Sequence, residues 1–150
     1  MIADLVLAIL HHVLAFSLLG LLAAEAALLR PGLSGAWLTL LGRLDGLYGG
    51  AAMALVVVGI GRLIWGLKGW EFYVASWSFW AKMAAFAAVG IASILPTLRI
   101  LAWRRAARLE PSHVVPDAEI AGARRLVLAE LALFALIPVF AAMMARGIGS

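Results

Sequence analysis

Two adjacent histidines inside an apolar stretch are the first residues here that could do chemistry. His11 and His12 lie in residues 5–29, a run broken by few polar groups. An imidazole can hold a proton near neutral pH or offer a lone pair to iron. Arg62, Lys82 and Arg146 fall near the ends of later apolar runs, at a depth comparable to the histidines. Imidazole beside cations suits an anionic guest that also seeks a ring nitrogen. Haem b is such a guest, since cations pair with its propionates. On this reading His11 is the axial metal ligand and His12 its reserve. Arg62 and Lys82 bind the propionates, or Lys82 acts as a catalytic group on the bound ring.

A second polar set is acidic. Glu25, Asp45 and Glu130 fall near Arg30, Arg43, Arg99, Arg124 and Arg125. The simplest expectation is a set of ion pairs that gives the helices their register; a proton route is the alternative. Helical phase chooses between the histidines. At ~100° per residue, Asp4, His11, Leu18 and Glu25 recur every seven residues and drift only about 20° per step, so they form one stripe. His12 points about 100° away, which makes His11 the expected inward residue. By the same argument Lys82, Ser93 and Pro96 share a face, as do Tyr48, Gly59 and Arg62.

Helices long enough to hold these residues in lipid follow from composition. The chain is 65% hydrophobic and 13% charged, with a mean hydropathy of +1.06. These values belong to the polytopic membrane class. The expected fold is all-α, a transmembrane four-helix bundle in one domain over residues 1–150. Its spans are about 5–29, 45–67, 78–103 and 123–145, each able to cross a hydrocarbon core of roughly 30 Å. Residues 33–44 read as a short interfacial helix or a lead-in to the second span. Residues 68–77 read as an aromatic cap with Trp70, Phe72, Tyr73 and Trp77, and 109–122 as a polar loop with a solvated His113. The first segment reads as a span rather than a cleaved signal, because Met1-Ile2-Ala3-Asp4 has no positive charge and the apolar run is long. Gly42, Gly46 and Gly50, with Ala54 next in the row, suggest close helix packing within the bundle. The six tryptophans fit an interfacial belt.

Of the 12 Lys and Arg, eight flank the first and third connections: Arg30, Arg43, Arg99, Arg104, Arg105, Arg108, Arg124 and Arg125. Arg62, Lys68, Lys82 and Arg146 make the other four. The positive-inside rule then places those connections in the cytoplasm and both termini on the periplasmic side of a bacterial inner membrane. The net charge of +4 reflects this clustering rather than nucleic-acid binding. With no cysteine, disulfides and thiolate chemistry are excluded. Walker, His-Glu-x-x-His and Gly-x-Ser-x-Gly motifs are absent, and Gly59 and Gly61 lie inside a span rather than in a nucleotide loop.

In "HHVLAF", "RLDGLYG", "GRLIWGLKG", "FWAKM", "ILPTLR" and "AELALFALIPVFAAMMARGIG" the chain resembles an uncharacterised family of small four-helix bacterial membrane proteins. A more distant likeness is to the HemJ-type protoporphyrinogen oxidases, also small four-helix membrane proteins. It rests on a histidine early in span one, His11 or His12, and on Lys82 in an aromatic-Ala-Lys-Met context. That likeness implies haem b and a functional role for both residues. Arg30-Pro31 stands in the reverse order of that family's proline-arginine pair, and the histidine is doubled here. The expected function is thus a membrane protein that binds b-type haem or porphyrin in its outer half. If redox-active, it would pass electrons to quinone or a protein partner. The spans hold one histidine position, so bis-histidine ligation needs a homo-oligomer. The alternative is a non-enzymatic assembly partner, or a small transporter or proton-handling subunit.

Overall fold

A computed structural model describes residues 2–65 and 69–146, and nearly all of them are helical. The helices are α1 (Ile2–Leu28), α2 (Gly35–Trp65), α3 (Gly69–Val74), α4 (Trp77–Leu109), α5 (Asp117–Phe134) and α6 (Leu136–Ala145). Four apolar stretches are long enough to cross a membrane: Ile2–Leu28, Gly35–Trp65, Trp77–Leu109 and Asp117–Met143.

Local chemistry sets the boundaries. α1 stops before Arg30-Pro31-Gly32, where Gly32 takes a φ of 79° that other residues adopt at a cost. α2 starts at Gly35, which has a φ of 51°. Residues 33–44 are therefore the lead-in to the second span and not a separate interfacial helix. Leu67 and Lys68, at the expected end of that span, lie outside the described residues. The expected aromatic cap contains α3, a six-residue helix; the Phe72 side chain lies outside the described part. α4 runs 33 residues, straight through a buried Pro96. The fourth span behaves differently. Pro138 has no N–H to donate to the Phe134 carbonyl, and the helix divides at Ala135 into α5 and α6.

The spans close into a ring: α1 packs on α2, α2 on α4, α4 on α5 and α6, and α5 back on α1. Leu18, Leu22, Leu38, Leu41, Ile100 and Val127 fill the centre. Phe16, Val57, Ile91 and Val139 point outward and are exposed, as residues facing acyl chains are. His11 packs on Gly59 of α2, and the Trp77 ring of α4 stands edge-on to Phe140 of α6 with centroids 6.4 Å apart.

The opposite end is clasped. Ser34 and Val114 form an isolated bridge, and the Val115 N–H donates to the Leu33 carbonyl at 3.0 Å. Trp103 is only 4% exposed, so it stands apart from the interfacial belt expected of the tryptophans. Its indole N–H donates to Glu119 Oε2 at 2.6 Å, tying the last turns of α4 to the first turn of α5. His113 also departs from expectation, being half-buried with an enclosed Nε2.

Trp103→Phe should cost about 1 kcal/mol by removing this bond while keeping the ring buried. Thermal unfolding in detergent should show Glu119→Gln adding little to that variant.

Candidate functional site

The ionisable side chains inside the bundle form two layers of opposite character. On α1, His11 and Glu25 lie roughly 21 Å apart at ~1.5 Å rise per residue. The expected stripe is present: Leu18 and Glu25 are buried, and Asp4 and His11 are half-buried.

The first layer surrounds His11. Its ring lies against Gly59 of α2, and a Cβ there would stand 3.7 Å from His11 Cε1. Gly59 thus keeps a shallow space open beside the imidazole. Lys82, Arg62 and His12 are the charged or titratable groups acting on His11, and all are basic. Lys82 also feels Arg62, and its Nζ sits 5.7 Å from the Phe79 ring centroid. His11 Nδ1 and Arg62 Nε are both enclosed without a hydrogen-bond partner. Unmatched donors and acceptors inside protein are costly.

His12 is turned away, as the phase argument requires. It is exposed, and its Nδ1 lies 2.7 Å from the Ala8 carbonyl. With the proton on Nδ1, that bond leaves Nε2 free toward the lipid side. Its ring stands edge-on to His11 with centroids 6.3 Å apart. Arg146 is exposed just past the end of α6, and Ser93, on the Lys82 face by helical phase, donates its hydroxyl back to the Gly90 carbonyl at 2.8 Å.

The second layer brings Glu25 of α1, Asp45 and Tyr48 of α2 and Glu130 of α5 within electrostatic range. All four are buried, Glu130 completely. Thr97 of α4 donates its hydroxyl to Asp45 Oδ1 at 2.6 Å. Glu25 Oε1 and both Glu130 carboxylate oxygens have no hydrogen-bond partner.

The ion-pair expectation for this layer fails for those two residues. Of the arginines, Arg104 is the one that acts on Asp45. The physical reason is geometric, because Arg104 and Arg99 lie in slots made by glycine. The Arg104 side chain occupies the space a Gly42 Cβ would take, and Arg99 Nη1 comes within 2.8 Å of such a position at Gly122. Gly42 is therefore a seat for a guanidinium rather than a helix-contact glycine. Gly46 and Gly50 have nothing within 4 Å of such a Cβ, so the expected close-packed row is not built inside one bundle. Arg104 and Thr97 were the members that sequence alone did not single out. Their signal was the spacing of Gly42 and Asp45 on one helix, which gains meaning only once α4 is laid beside it.

Residues 3–149 match the family described as "Predicted membrane protein (DUF2214)". The chain belongs to that family. No curated protein and no solved structure matches it. The family's description agrees with the four membrane-spanning helices and leaves the role of both layers to their chemistry.

In this family member three carboxylates lie within electrostatic range of one another with Arg104 acting on one of them, and that arrangement carries net repulsion when ionised. Glu130→Gln keeps the shape and removes one charge, so its melting temperature in detergent should equal or exceed that of the parent. A marked fall would show that Glu130 meets a cation.

Proposed function

We propose that the His11 layer binds a b-type haem or a related anionic porphyrin in a bacterial inner-membrane protein. The observation that carries the reading is the enclosed Nδ1 of His11, which has no hydrogen-bond partner, on a ring acted on by Lys82, Arg62 and His12. Among the described residues, no three His, Asp or Glu side chains converge as a metal held by protein alone requires. A porphyrin supplies four nitrogens itself and asks the protein for one or two axial ligands. The donor set suits that demand: one imidazole whose Nδ1 has no hydrogen-bond partner, two cations for two propionates, and at Gly59 the width of one methyl beside the ring.

His11 then holds the iron and Arg62 and Lys82 pair with the carboxylates. Haem would supply one-electron chemistry, with quinone or a protein partner as acceptor. His12, oriented by the Ala8 carbonyl as metal-binding imidazoles commonly are, is the reserve ligand and could serve a second protomer. The likeness of His11 and Lys82 to the HemJ-type oxidases supports a stronger form, in which Lys82 works on a bound porphyrin ring. The arginine bias supports placing this layer toward the periplasm.

The test is an absorption spectrum of detergent-purified protein from haem-replete cells, oxidised and then reduced. A Soret band with sharp reduced α and β bands should disappear in His11→Ala and survive in His12→Ala. A colourless protein that also fails to take up added haem would overturn the reading.

A second reading is favoured by the acidic layer: a non-enzymatic proton-handling or transport subunit. Partnerless carboxyl groups inside a membrane mark ion and proton pathways as a rule. In proteoliposomes, Glu25→Gln and Glu130→Gln should each slow proton flux about tenfold or more on this reading. Unchanged flux in both variants would remove it.

A further inference from the structure

At the clasped end, an open groove of about 480 Å³ runs between the end of α1 and the outer face of α5. Its volume lies within the roughly 300–1,000 Å³ of small-molecule pockets. Arg30 from the first connection and Arg124 and Arg125 from α5 line it, against a single acidic residue, Asp117. All three arginines are exposed. A smaller hollow of about 310 Å³ adjoins it across Arg30 and Pro31 and reaches Trp37. The Arg30 guanidinium stands 5.8 Å from the Trp37 ring centroid, so it sits on the border between the two.

The rest of the lining is apolar. Leu29 and Ile120 are buried, and Leu128 continues the face one turn beyond Arg124. Arg124 and Arg125 lie about two turns inside α5 from Asp117, roughly 10–12 Å along its axis. The three arginines therefore stand beside apolar wall residues near the connection-side ends of α1 and α5. Inorganic phosphate would satisfy the arginines and gain nothing from the wall. A molecule with a phosphodiester at one end and acyl chains at the other matches both.

We propose that this groove is a binding site for an anionic glycerophospholipid. Arg30, Arg124 and Arg125 hold its phosphodiester, and its acyl chains lie along α1 and α5 past Leu128. Basic pockets between spans at the membrane surface bind such headgroups by the same balance of charge and apolar contact. The site is separate from the histidine and carboxylate layers, and it stands whether or not a porphyrin binds.

The experiment is native mass spectrometry of the full chain from detergent, titrated with phosphatidylglycerol or phosphatidylcholine. It is repeated for Arg30→Gln/Arg124→Gln/Arg125→Gln and for the control Arg43→Gln/Arg105→Gln/Arg108→Gln, which removes three arginines outside the groove. Phosphatidylglycerol should bind the parent and the control alike. The groove variant should bind it more weakly by about two orders of magnitude, about fivefold for each guanidinium lost. Excess inorganic phosphate should not displace the lipid.

Equal binding of phosphatidylcholine, equal loss in the control, or displacement by phosphate would each overturn the proposal. If the groove variant does not fold, the arginine-to-lysine triple replaces it. Lysine keeps the charges, so phosphatidylglycerol should stay bound within a few-fold. Loss of preference over phosphatidylcholine there would count against the site.

Discussion

A polar group in hydrocarbon must be answered by protein, and a ring of four helices offers one interior in which to answer it. That constraint places nearly everything chemical in this molecule. Leucine, valine and phenylalanine can face lipid at no cost, so the outer surface is left to them. His11, Arg62, Lys82, Glu25, Asp45, Tyr48 and Glu130 are turned toward neighbouring helices. α1, α2, α4 and α5 each contribute to at least one layer, so the layers also fix how these helices sit.

The two layers are unlike in sign and unlike in how they are satisfied. Around His11 the neighbours are basic, and around Glu25 they are acidic. Arg99 is seated against Gly122, while Arg104, seated on Gly42, acts on Asp45. Among the described residues, Asp45 is the one of the three carboxylates with a hydroxyl donor, Thr97. A bundle that needed only stability would gain by replacing such groups with leucine, since buried ionic groups are rarely net stabilising. Their presence in opposite halves is the strongest physical argument that the protein handles charge.

Much of this was legible in the sequence because a helix has one period. Heptad spacing put His11 and Glu25 on one stripe and turned His12 outward, and the structure agrees. Four apolar runs were legible from hydropathy, but the helices outrun them: α2 reaches back to Gly35, α4 runs on to Leu109, and α5 begins at Asp117 inside the expected loop. What could not be read was contact between helices. The sequence brings Glu25 and Glu130 near many arginines in number, but distance depends on which face of α4 and α5 meets α1. The same gap hid Arg104 over Gly42 and the indole of Trp103 on Glu119.

The central claim is that His11, Arg62 and Lys82 form one site for a dianionic porphyrin. Titration of the purified protein with haemin and with its propionate dimethyl ester, followed by absorbance, tests it most directly. The account predicts that haemin binds more than about tenfold tighter, as expected for charge-assisted bonds. It also predicts that the difference vanishes in Arg62→Gln/Lys82→Gln. Equal affinity for both compounds in the parent protein, or no binding of either, would contradict it.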